Sequence, residues 1–156
     1  MERIYTLILM FFSFSLEAKT LNEQGIQLAI NPSWGKAQYT QFEDSNQTSQ
    51  WVYTSGSATL IIEKSRCYDC KEYTQHAVED LNRITDFAIG AILVATNAGN
   101  GVYQVSTNHK EMELRTFKLI KDEVLYRLQY GKKQGSSYSF QSEIDFLSLI
   151  NKFKVM

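Results

Sequence analysis

A single proline, Pro32, stands among the 156 residues. Thioredoxin-like redox sites need a cis-proline from a later loop beside their cysteines, and no proline follows residue 32. Cysteine is nearly as scarce, with only Cys67 and Cys70. No cysteine directly follows the N-terminal apolar run, which removes the acceptor of a lipoprotein anchor. Long apolar runs are missing beyond residue 16; the longest later candidate, residues 87–95, is interrupted by Gly90 and half the length of a span. A multi-span membrane protein is thereby excluded. Neither sign of charge dominates, with 16 Lys and Arg against 17 Asp and Glu. Without a basic stripe there is no footprint for nucleic acid, whose binding requires several phosphates to be neutralised. Also absent are a Gly-x-Ser-x-Gly elbow, a glycine-rich phosphate loop and a His-Glu-x-x-His pair.

What is present begins with residues 1–18. Met1-Glu2-Arg3 is a short polar start, residues 4–16 carry no charge and are rich in Ile, Leu, Met and Phe, and Glu17-Ala18-Lys19 returns to polar and small residues. This layout predicts a secretory signal peptide, cut after Ala18 or alternatively after Ser15. Residues 1–18 contain one arginine and two glutamates, so the remainder has a formal charge of about zero. Residues 19–156 then form one domain, large enough for a single core. The expected location is periplasmic or secreted, with no stable membrane insertion after cleavage.

Along that domain, Ile26, Leu28 and Ile30 alternate with polar or small residues, which predicts a strand ended by Asn31-Pro32-Ser33. Residues 37–42 form a second extended piece, and residues 43–50 a solvated loop. Residues 51–53 and 58–63 read as strands around a turn. Tyr73, Ala77, Leu81 and Ile84 share a helical stripe, which predicts a helix over 71–84. Residues 86–94 fit either more helix or a buried strand, with 97–101 as a break. Residues 102–107, 111–121 and 123–130 predict an antiparallel meander, with Val124, Tyr126, Leu128 and Tyr130 on one face. A closing helix, capped by Ser139, turns Phe140, Ile144, Leu147 and Ile150 inward. The order indicates an α+β fold, an antiparallel sheet flanked by helices.

Cys67-Tyr68-Asp69-Cys70 is the one constellation with chemical potential. Between a strand and a helix start, the pair reads as a redox dithiol whose first thiolate is favoured by the helix terminus. The competing reading is a structural disulfide, formed because an exported chain meets an oxidising environment. Cys67, Cys70, His76 and His109 together match no standard zinc spacing, so no metal and no cofactor is expected. His76 is expected to pack partly beside the helical stripe, and His109 to be solvated. Trp34 and Trp51 are the candidate binding residues, on condition that one of them reaches the surface.

The order of motifs resembles the PsbP-like family. Gly25 through Asn31-Pro32-Ser33-Trp34 is similar to that family's opening strand and its Pro-x-Trp element. The meander ending Tyr126-Arg127-Leu128-Gln129-Tyr130 and the last helix running into Lys152-Phe153-Lys154-Val155 are similar to its later elements. The resemblance implies an α-β-α sandwich around an antiparallel sheet, and a role in binding or assembling a partner rather than catalysis. The expectation is therefore an exported accessory protein, not an enzyme, acting on another envelope or exported protein. An immunity protein against a delivered toxin is one version. The alternative is a thiol-disulfide oxidoreductase or redox sensor using Cys67 and Cys70.

Overall fold

A computed structural model describes residues 19–84, 88–108, 112–133 and 140–156. The expected signal peptide, the Ser139 cap and His109 lie outside the described residues. In chain order the elements are β1 (Lys19–Glu23), β2 (Ile26–Ile30), β3 (Gln38–Gln41), β4 (Ser49–Ser55), β5 (Ala58–Arg66), α1 (Gln75–Ile84), β6 (Ala88–Thr96), β7 (Gly99–Asn108), β8 (Met112–Lys121), β9 (Val124–Lys133), α2 (Phe140–Lys152) and β10 (Lys154–Val155).

The hairpins follow from local chemistry. Gln24 and Gly25 join β1 to β2 with φ of 49° and 80°, and Asp122 and Glu123 join β8 to β9 with 51° and 58°. Two consecutive positive φ values make the tight turn whose twist matches that of the strands it connects. Among the described residues all pairings are antiparallel, and they assemble two sheets: β1-β2-β10, and a seven-stranded sheet ordered β3-β4-β5-β9-β8-β7-β6.

Alternation along these strands decides the layers. Trp51, Tyr53, Leu60, Ile62, Tyr103, Phe117, Tyr126, Leu128 and Tyr130 face one side of the large sheet and are buried there. Ile26, Leu28 and Ile30 of β2 meet them from the small sheet, together with Phe146, Leu149 and Ile150 of α2 and Phe153 just beyond it. Trp51 ties the two sheets by donating Nε1–H to the Glu23 carboxylate at 3.0 Å. On the opposite side of the large sheet Val78 of α1 packs over Ala91 and Val102, with Tyr73, Leu81 and Leu93 beside them.

The expectation of a sheet flanked by helices in an α-β-α sandwich is therefore incorrect. The chain is mostly β, with two helices among the described residues, and one face of its main sheet is covered by a second sheet alongside α2. The physical reason is dimensional. A ten-residue helix is about 15 Å long, whereas seven strands spaced about 4.8 Å apart span roughly 30 Å. Helix α1 covers only the β6–β7 end.

Other expectations are corrected in detail. The first helix starts at Gln75 rather than residue 71, because Thr74 caps it by accepting the Ala77 N–H at 3.3 Å. Tyr73 sits just before this cap and packs in the Val78 cluster, as a hydrophobic staple does. From residue 88 on, the ambiguous segment is strand β6, residues 86 and 87 lying outside the described residues, and the expected break at 97–101 is a two-residue turn, Asn97-Ala98, after which β7 begins at Gly99. Among the described side chains of α2, Phe146, Leu149 and Ile150 are buried, while Ile144 and Leu147 are each 41% exposed; the Phe140 side chain lies outside the described residues. The expected solvated loop of residues 43–50 is exposed only over 43–47, since β4 begins at the buried Ser49; the Asp44 carboxylate holds the loop by accepting from Thr48 N–H at 2.9 Å and Oγ1–H at 2.7 Å.

Candidate functional site

The chemistry of one tetrapeptide builds one wall of a concave part of the surface. Asn31-Pro32-Ser33-Trp34 has asparagine first and proline second, the residues a tight turn favours in those places. Trp34 N–H donates to the Asn31 carbonyl at 3.0 Å, and Ser33 N–H donates to Asn31 Oδ1 at 2.9 Å. Gly35 N–H then donates to the Thr54 carbonyl at 3.4 Å, which fixes this turn against β4. Trp34 is left half-buried, its ring edge-on to Tyr130 at 5.9 Å and 89°. Tyr130 lies at 5.9 Å from Phe146, which also meets Tyr103 at 6.3 Å.

The Trp34, Tyr130 and Phe146 rings line a half-open cleft of about 780 Å³. Leu60, Tyr130, Phe146 and Leu149 supply its apolar floor, and the turn carrying Trp34 is one wall. The second wall is the β4–β5 turn with Ser55, Gly56 and Ser57; α2 contributes Asp145, Ser148 and Lys152, and Lys132 reaches in from β9. The volume lies within the range of about 300–1,000 Å³ usual for ligand sites. Its rim carries both signs of charge and several hydroxyls. Among the described residues the lining contains no histidine or cysteine. The arrangement can hold a segment with an apolar anchor and polar flanks.

Trp34 thus lies at the cleft and Trp51 does not: Trp51 is 1% exposed, with Tyr39 against its ring at 5.3 Å. Tyr103, Tyr126 and Tyr130 are buried in the core. Sequence reading missed Lys132, Asp145 and Lys152 altogether. The available signal was weak: Asp145, Ser148 and Lys152 recur at helical spacing on the polar side of α2.

Cys67 and Cys70 form a disulfide in the loop after β5. Cys67 N–H donates to the Glu123 carbonyl at 2.8 Å, and Cys70 N–H to the Cys67 carbonyl at 3.4 Å. Asp69 adopts φ of 62° and Tyr68 is 60% exposed. The pair does not open a helix, since α1 begins only at Gln75, so α1 does not provide the thiolate stabilisation expected from a helix terminus. His76 is solvent-exposed, not partly packed, with its Nε2 3.6 Å from Asp80 on the next turn. Among the described residues no group of three or more His, Cys, Asp or Glu is placed to hold a metal ion.

The far face of the large sheet carries a row of charge. Register places Gln50, Glu63, Arg127 and Lys118 side by side across β4, β5, β9 and β8. Arg127 pairs with Glu63 at 2.6 Å. Burial, and then the Arg127 charge opposite, pushes the Lys118 ammonium below its ordinary value. The chain matches no protein-family model and no curated protein.

Proposed function

We propose that this chain is a non-enzymatic binding or accessory protein of the periplasm or cell envelope, which grips a segment of another protein in the Trp34 cleft. The observation that carries this reading is the make-up of the cleft: an aromatic and aliphatic floor beneath a rim of serines, lysines and an aspartate. Interfaces concentrate their binding energy in such desolvated aromatic anchors surrounded by polar groups. The Cys67–Cys70 disulfide agrees with an oxidising compartment. The resemblance of the segment ending in Trp34 to the opening of PsbP-like proteins supports the same non-catalytic role. An immunity protein that blocks a delivered toxin is one version of it.

Affinity capture from envelope extract tests the proposal, with wild type, Trp34→Ala and Asn22→Ala compared. Asn22 is exposed on β1 and stands outside the cleft. The expected result is one protein captured by wild type and Asn22→Ala and lost, by roughly tenfold or more, with Trp34→Ala. Equal capture by all three, or turnover of a substrate by the pure protein with no partner, overturns it.

A further inference from the structure

The two edges of the large sheet are built differently. The β3 edge is four residues, Gln-Tyr-Thr-Gln, exposed throughout. The β6 edge is nine residues, AIGAILVAT, with no charge and no proline. Natural edge strands are commonly short, charged or interrupted, because a long apolar edge is a template for another strand.

Part of β6 is closed from within. Asn82 of α1 donates Nδ2–H to the Ala91 carbonyl at 2.9 Å and accepts the Ala91 N–H on Oδ1 at 2.7 Å. Its amide therefore stands where a neighbouring strand would be. Backbone groups alternate in direction along a strand, so those of Leu93 and Ala95 point outward like those of Ala91. Among the described residues nothing occupies them. The open stretch is bracketed by Asn82 at one end and by the Asn97-Ala98 turn at the other.

Apolar side chains flank this opening. Ile92 is 57% exposed and sits opposite Tyr103, on the side of the sheet that α2 covers. The exposed Leu147 lies on the flank of α2 away from the cleft. Asn151, about 40° from it around the helix, accepts the Asn97 side-chain N–H of the β6–β7 turn at 3.3 Å. Ile144 is exposed one turn earlier.

We propose that β6 pairs antiparallel with β6 of a second copy of this chain, centred on Val94, to make one continuous sheet across a two-fold axis. In that register Leu93 meets Ala95 of the second copy and Ala95 meets its Leu93, which uses every open backbone group. Ala91 falls opposite the second copy's turn, so Asn82 stays in place in both. The edge is its own complement, as an isologous contact requires. It offers no charge by which a foreign strand would be selected, and a formal charge of −1 leaves two copies without strong repulsion. Strand pairing alone is small against the roughly 1,200 Å² of a stable interface. Ile92, Ile144 and Leu147 from both copies supply the added apolar area.

Sedimentation equilibrium over a concentration series tests this, with wild type, Ala95→Pro and Ile92→Glu. Proline at 95 removes an outward donor without touching the β7 ladder, a position edge strands tolerate. The expected result is a wild-type mass rising to that of two chains, both variants remaining at one, and unchanged far-UV circular dichroism and melting at low concentration. Amide exchange at Leu93 and Ala95 slows as wild-type concentration rises. A wild-type monomer at every concentration overturns the proposal. So does a dimer that both folded variants retain, and so does protection of these amides that appears only when an extended peptide from another protein is added.

Discussion

Gly101 is the position where one added carbon tests the packing most sharply. A Cβ there would lie 2.3 and 2.4 Å from Cζ and Cε2 of Phe117 and 2.7 Å from the Lys118 carbonyl oxygen. Carbon atoms pack at about 3.5–4.0 Å, so the shortfall exceeds an ångström. Phe117 is fully buried and cannot swing into solvent, and the Lys118 oxygen belongs to the backbone of the neighbouring strand. Gly101→Ala must therefore shift β7 against β8, at an overpacking cost of about 1–3 kcal/mol. Against a total stability of about 5–15 kcal/mol that is a large fraction. Urea unfolding followed by tryptophan fluorescence reads it out, with Phe117→Leu and the double variant completing a cycle. The shortened side chain opens space for the new methyl, so the double variant loses at least about 0.5 kcal/mol less than the two single losses combined. A neutral Gly101→Ala, or strictly additive losses, would refute the packing described for this face.

Asn82→Ala strips both partners from Ala91 and costs about 1–3 kcal/mol, whereas Asn82→Gly adds a helix-interior glycine penalty of about 1 kcal/mol; thermal melts of the two separate the contributions. Burial raises the pKa of Tyr53, Tyr73 and Tyr126, helped at Tyr53 by Glu23 and at Tyr126 by Asp122. Their folded values lie above the unfolded value of about 10, so the stability they contribute is complete below pH 10 and is lost as pH rises through the folded values. Melting against pH together with phenolate absorbance checks this, and titration of all tyrosines in the folded protein near pH 10 would contradict it. Lys118 and Arg127 face each other across β8 and β9, so Lys118→Met stabilises by about 0.2–1 kcal/mol in denaturant titrations. Replacing Cys67 and Cys70 together by serine opens a short loop and costs about 2 kcal/mol on the chain-entropy model, with partner capture retained.

The strands were legible where a dyad pattern met a turn signal. Ile26, Leu28 and Ile30 before Asn31-Pro32, and the alternation through Tyr130, lie in β2 and β9 where the pattern places them. The small second sheet was not legible, because β10 is two residues long and pairs with Gln27 and Ile26 from the far end of the chain. The inward face of α2 was misread for a related reason. Apolar residues at 144, 146, 147, 149 and 150 make two overlapping stripes, and periodicity cannot choose between them. Contacts from Phe146 to Tyr103 and Tyr130, and from Phe153 to Tyr126, make the choice. The cleft was half legible: the turn that presents Trp34 is written in four consecutive residues, but the floor is assembled from β5, β9 and α2.

Site-specific photocrosslinking compares the cleft with its rival most directly. A photoreactive residue placed at Ser57, on the cleft rim, is set against one at Tyr68, exposed in the disulfide loop, in the same envelope extract. Binding in the Trp34 cleft yields a single adduct from position 57, abolished by Trp34→Ala, and none from position 68. An adduct from position 68 alone, or one from position 57 that persists in Trp34→Ala, contradicts it.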